Sequence, residues 1–131
     1  MQFNALIPEL SVTDIEKSVF FYVNVLHFKI EYERKEDKFA FLSYGAAQLM
    51  LEQINDHWNV GDLVRPFGRG VNFQIETNDI DAIRQSLIKH GFTPFKDVFE
   101  SAYTSNDTVF RQKEMLVCDP DGYLLRFSQD L

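Results

Sequence analysis

Nothing in this chain can pair with Cys118: it is the only cysteine, so no internal disulfide braces the fold and a reducing compartment, the cytoplasm by default, suits it. No window approaches a membrane span, and Met1 leads into Gln2-Phe3-Asn4 without a basic stretch or a long apolar run. No signal peptide and no membrane partner are therefore expected. Positive charge is scarce. Thirteen Lys and Arg face twenty Asp and Glu, for a net charge of −7, which repels phosphate backbones and argues against nucleic acid as a partner. The same charge favours cationic ligands where carboxylates converge on a cleft, and serves solubility where they do not. No Ser/His/Asp signature, phosphate loop or Cys/His nucleophile context is present, and Phe67-Gly68-Arg69-Gly70 is too short to cradle phosphate. The histidines form no metal spacing. His27 and His90 fall at helix-end turns, and His57 lies in a loop beside Trp58. Cys118, beside Asp119 with no cation expected near it, reads as an inert strand residue.

What is present is a duplication. Ile7-Pro8-Glu9-Leu10-Ser11-Val12-Thr13-Asp14-Ile15 and Asn72-Phe73-Gln74-Ile75-Glu76-Thr77-Asn78-Asp79-Ile80 share one pattern, a strand running into a helix start. An amphipathic helix follows each, then an aromatic turn, Leu26-His27-Phe28 or His90-Gly91-Phe92. With 131 residues, 45% of them hydrophobic, and no linker rich in Gly, Ser or Pro, the chain reads as one domain, 1–131, built of two repeats at about 5–54 and 71–129.

Each repeat reads β-α-β-β-β, an α+β fold of two tandem modules that form a curved mixed sheet around a groove. In the first, residues 5–12 alternate as a strand, and Thr13-Asp14-Ile15-Glu16 resembles a capping box with Thr13 accepting from the backbone of Glu16. Ile15, Val19, Tyr22 and Leu26 make one helical stripe. Strands follow at 29–33, 38–43 and 48–53, then an irregular loop from Asn55 to Gly70. In the second, a strand at 71–77 precedes a helix capped by Asn78 or Asp79 and ended by His90-Gly91. Strands at 93–98, 112–118 and 123–128 complete it, with the polar stretch Ser101–Val109 read as a loop.

Strand alternation sorts the faces. Leu10, Phe73, Leu49, Leu51, Leu125 and Phe127 belong under the helices; Glu9, Glu52, Asn72, Gln74, Glu76 and Arg126 point to the opposite, concave side. That side is either a groove or a solvated sheet face of the ordinary kind.

At this point the residues resemble a family. The duplicated module, the run Ser11-Val12-Thr13-Asp14-Ile15-Glu16-Lys17-Ser18 continuing to Phe21-Tyr22, and Cys118-Asp119-Pro120-Asp121-Gly122-Tyr123 look like the vicinal oxygen chelate superfamily. That superfamily includes glyoxalase I, extradiol dioxygenases, fosfomycin resistance enzymes and bleomycin resistance proteins. His27 stands where the family usually has glycine. The resemblance implies metal-ligand positions at Ile7, near Met50 (with Glu52 two residues on), at Asn72 and at Arg126. Ile7 cannot bind a metal, Asn72 is a weak ligand, and Arg126 carries an opposing positive charge. No cofactor or metal is expected.

A superfamily fold without that donor set is similar to the bleomycin resistance branch, whose members are acidic dimers that sequester a cationic glycopeptide between two chains. The resemblance makes Phe39 a groove aromatic, through the run Asp37-Lys38-Phe39-Ala40, and Glu52 a polar groove residue. It places the branch's usual loop tryptophan near Phe110-Arg111. The expected ligand-binding residues are thus Phe39, Met50, Glu52, Trp58, Asn72, Gln74, Phe110, Arg111 and Arg126, with Trp58 either a lid or a dimer contact. Arg111 and Arg126 can pair with Glu52, Glu76 or Glu114, or hold an anionic group. The expected function is a metal-free binding protein, a homodimer that takes a bleomycin-like or similar small molecule. The alternatives are a metal-dependent enzyme of the same superfamily and a metabolite-binding protein.

Overall fold

A computed structural model describes residues 1–131. The first module comprises β1 (Glu9–Val12), α1 (Ile15–Phe20), β2 (Lys29–Arg34), β3 (Phe39–Tyr44) and β4 (Ala47–Gln53). The second comprises β5 (Asn72–Glu76), α2 (Ile80–Lys89), β6 (Lys96–Ser105), β7 (Thr108–Cys118) and β8 (Leu124–Asp130). Each module forms its own four-stranded mixed sheet, β1-β4-β3-β2 and β5-β8-β7-β6. In both, the opening strand pairs parallel with the closing one while the other pairs are antiparallel.

The core is continuous across the two modules. Leu10, Val12, Ala40, Leu42, Leu49 and Leu51 of the first sheet join Ile75, Met115, Val117, Leu125 and Phe127 of the second, with Tyr22, Leu26, Ile80, Ile83 and Leu87 from the helical segments. Each fully buried Leu, Ile or Phe contributes about 1.5–3 kcal/mol relative to exposure. Alternation holds, because these strand residues skip every second position.

Helix α1 widens at its end into a π turn, Phe21–Val25, where the Leu26 N–H donates to the Phe21 carbonyl at 3.0 Å. The turn exits through His27 at φ 69°, a left-handed position that costs any non-glycine residue. The capping box does not form. Asp14 caps α1, accepting from the Lys17 N–H at 3.2 Å. Thr13 is drawn elsewhere: its hydroxyl donates to Asp121 at 2.6 Å and its N–H at 3.1 Å. In α2 the cap is Asp79, bonded to the Ala82 N–H at 3.0 Å.

Two strand expectations are corrected. The first strand begins at Glu9 rather than residue 5, since residues 1–6 are exposed and have no sheet face to cover. Ser101–Val109 is not a loop. Strands β6 and β7 run through it, paired from Ser101↔Gln112 to Ser105↔Thr108, and turn at Asn106 with φ 57°. Strand β8 meets β7 only from Gln112 onward, so the hairpin tip projects past the sheet.

Candidate functional site

On the first sheet, register lines up the concave face in rows. Phe39 lies across from Glu52, which neighbours Ser11; Phe41 lies across from Met50, which neighbours Glu9. Strand β2 adds Tyr32 beside Phe41 and Arg34 beside Phe39. The result is an aromatic floor. Tyr32 stacks on Phe41 with ring centroids 5.3 Å apart at 11°, and Phe3 meets Phe41 edge-on at 5.3 Å. The Arg34 guanidinium sits 4.0 Å over the Phe39 ring, a cation on a π face. Phe39 and Phe41 are buried yet stand apart from the main core cluster, as residues on the face opposite Ala40 and Leu42 must.

Carboxylates border this floor. One oxygen of Glu52 accepts from Asn55 Nδ2 at 2.7 Å and from the Trp58 indole at 3.1 Å. Partial burial raises the Glu9 carboxyl above its ordinary pKa; the nearby Glu52 charge raises it further and Arg34 opposes both. Trp58 itself is exposed, in a loop that also exposes Val60 and Val64.

The second sheet carries a different set. Gln74 pairs with Arg126, Leu116 with Arg126 and Glu114 with Ser128, all on the face opposite Met115, Leu125 and Phe127. Arg126 Nη2 donates to Gln74 Oε1 at 2.9 Å, and Nη1 lies 3.5 Å from Glu114. Glu114 is 1% exposed; its other oxygen accepts from Ser101 Oγ at 2.6 Å and Tyr103 Oη at 2.8 Å. Asn72 and Glu76 are exposed on this same face. Phe110 pairs with Tyr103 and is half-exposed, whereas Arg111 pairs with Ala102 and so projects to the other side of the hairpin. There it lines a small cavity of about 180 Å³ with Glu100 and Leu131.

The expected site residues thus fall into two groups, Phe39, Met50 and Glu52 on the first sheet with Trp58 in the loop that follows it, and Asn72, Gln74, Arg126 and Phe110 on the second. Their hydrogen bonds run within each group. Tyr32, Arg34, Phe41, Phe3 and the buried Glu114 belong to these faces as well. The signal for Tyr32 and Arg34 was their alternation along one strand, and that strand was expected to end at Glu33. A cavity of about 540 Å³ lies apart from both groups except for Phe39. It opens between α1 and the turn Lys35–Asp37 and is lined by Ile15, Val19 and Phe20 among others.

The Asp119-Pro120-Asp121-Gly122 loop looks like chemistry and is structure. Asp121, with a fully buried side chain, accepts from Thr13 twice and from Arg65 at 2.8 Å. Asp119 accepts from Tyr22 Oη at 2.8 Å and from the N–H groups of Asp121 and Tyr123, both at 2.9 Å. Burial raises Asp119 to about 6, and raises the Tyr22 phenol well above its usual range. These groups spend their acceptors on holding the two modules together.

A family model described as the Glyoxalase/Bleomycin resistance protein/Dioxygenase superfamily matches residues 4–127. Bleomycin resistance proteins of Geobacillus stearothermophilus and Staphylococcus aureus are 28% identical over 138 residues, covering 95% of this chain and 96% of theirs. A virulence protein of Salmonella typhimurium shares the fold with a TM-score of 0.69 at 22% identity, each chain covered in full. TioX from Micromonospora sp. ML1 shares it with a TM-score of 0.66 at 20% identity, covering 98% of this chain and 100% of that one. With nearly the whole length matched, and the duplicated βαβββ architecture in place, this chain belongs to the glyoxalase, bleomycin resistance protein and dioxygenase superfamily.

Proposed function

We propose that this protein captures a positively charged, partly planar small molecule of the bleomycin type, and releases it unchanged. The observation that carries the reading is the first sheet's concave face: an aromatic floor of Tyr32, Phe39 and Phe41, bordered by Glu9 and Glu52, on which a guanidinium already rests at 4.0 Å from a ring. A ligand cation can use the same physics, an aromatic face for stacking and carboxylates for charge. The net charge of −7 draws cations toward it. The bleomycin resistance relatives support the ligand class.

The superfamily's enzymes hold a divalent metal on the concave strands, and the residues here do not fit one. The side chain at the first strand's position is Ile7, and at the last strand's it is Arg126, already hydrogen-bonded to Gln74. Nowhere do three His, Cys, Asp or Glu side chains gather as a ligand set. The donors that remain, Glu52 and Asn72, lie on different sheets. The proposal therefore involves no metal chemistry. It places capture in a dimer, with a second chain closing over the open concave faces, and in the reducing cytoplasm that the unpaired Cys118 suits.

Calorimetric titration with bleomycin tests the reading. Saturable binding is expected, weakening as salt screens the charges. Phe39→Ala should cost on the order of 1 kcal/mol, and Glu52→Gln should lower affinity and flatten the salt dependence. Absence of saturable binding at high micromolar drug would reject the capture role.

A further inference from the structure

The cavity between α1 and the turn Lys35–Asp37 has a volume of about 540 Å³, inside the range of about 300–1,000 Å³ that small-molecule sites occupy. Its walls are fixed to one another. Gln53 joins them: its backbone N–H donates to the Lys38 carbonyl at 3.0 Å, and its side-chain oxygen accepts from the Ile15 N–H at 3.2 Å. The turn is closed by the Lys38 N–H on the Lys35 carbonyl at 3.1 Å and by the Arg34–Asp37 ion pair, also at 3.1 Å.

The two walls differ in charge and share an apolar middle. Helix α1 turns Ile15, Val19 and Phe20 towards the space. Ile15 and Val19 rest against the core, while Phe20 is 48% exposed, with the His90 ring edge-on at 5.9 Å. The first turn of the same helix and its cap add Asp14 and Glu16, two negative charges. The opposite wall adds Glu33, Lys35 and Lys38, which sum to one positive charge. None of these five groups joins an ion pair within the protein; nearby, Lys29 pairs with Glu31 and Arg34 with Asp37 instead.

We propose that this cavity binds a small zwitterion whose charges are held apart by an apolar body, namely a short apolar peptide with free ends. Its ammonium faces Asp14 and Glu16, its carboxylate faces Lys35 and Lys38, and its side chains cover Val19 and Phe20. A simple anion meets the α1 carboxylates and the overall charge of −7; a simple cation leaves the lysines unanswered. A single amino acid carries both charges on one carbon and cannot turn one to each wall, whereas two extended residues span about 7 Å. The site shares Phe39 alone with the concave faces and does not depend on what those faces capture.

The test titrates dileucine, its N-acetyl form, its C-terminal amide and free leucine into the full-length protein carrying 13C-labelled Ile and Val methyl groups. The Ile15 and Val19 signals are identified by their loss in Ile15→Val and Val19→Ala. Dileucine should shift both saturably, and the other three should bind about threefold to tenfold more weakly. Two variants of exposed side chains assign the charges. Glu16→Gln should weaken dileucine and leave the acetylated peptide unchanged; Lys35→Gln should weaken dileucine and leave the amide unchanged. No saturable shift of these methyls with dileucine, or equal binding of the capped peptides, overturns the proposal. So does a loss in Glu16→Gln that falls equally on the acetylated peptide.

Discussion

At the scale of single residues, two positions cost the fold stability, one through charge and one through backbone strain. Asp119 is buried, and its pKa rises from 3.8 to about 6 despite three hydrogen bonds to it. A carboxyl raised in the folded state binds its proton more tightly there than in the unfolded chain. Its penalty is therefore absent below about pH 4 and grows as pH rises through about 6, to an order-of-magnitude 3 kcal/mol for a shift of about two units. Asp119→Asn keeps an acceptor for the two N–H groups and cannot ionise. Urea unfolding of both proteins from pH 4 to 7 should show the variant gaining stability relative to the parent as pH rises; a pH-independent difference would contradict this. At His27, with φ 69°, His27→Gly should relieve left-handed strain and raise stability by about 0.5–1 kcal/mol after glycine's greater unfolded entropy is counted. A thermal melt reads this directly. The family resemblance marked His27 as the residue out of pattern, because glycine usually stands at that turn. The sequence could not show that Thr13 serves Asp121 rather than its own helix, because those residues meet only through the tertiary fold.

Among the elements, the helices and most strands were legible because each has one covered face, which writes a period into the sequence. The hairpin tip was not. Residues 101–105 and 108–111 are almost all exposed on both faces, so their composition is polar and carries no alternation, although backbone pairing and the Asn106 turn suffice to build the strands. The same limit hid half of the candidate site. Glu52 and Arg126 were visible by alternation, but Arg34 over Phe39 required a strand one residue longer than expected. The alternation that separates Phe110 from Arg111 required knowing that a strand, not a loop, runs there. The Asp121-Gly122 turn gives the element-scale prediction. Gly122 has φ 97°, and a Cβ there would lie 2.7 Å from the Pro66 backbone. Gly122→Ala should destabilise by about 1–3 kcal/mol, seen as a lower urea midpoint with an unchanged slope.

For the whole molecule, the two concave faces are the surfaces in question. One is aromatic and acidic, the other polar with a buried ion pair. A single chain leaves parts of both to solvent, Trp58 and Phe110 among them, and isologous pairing of two chains is the commonest way such surfaces are covered. Sedimentation equilibrium at micromolar concentration should therefore give a dimer, and a monomer would remove the two-chain groove from the proposal. No helix is long and apolar enough to cross a membrane.

The joint between modules also dictates when the protein can finish folding. Thr13 with Asp121, Tyr22 with Asp119 and the Ser11 carbonyl with Tyr123 are pairs separated by 108, 97 and 112 positions. While the chain is being synthesised, the first module emerges with these groups unanswered and its share of the common core uncovered. Closure waits for strands β7 and β8 and the turn between them, so the joint forms only after the second module has emerged, and the span of those contacts makes that step slow. A ribosome-held chain stopped before residue 119 would present Tyr22 and the core face of β4 to chaperones rather than to its own second half.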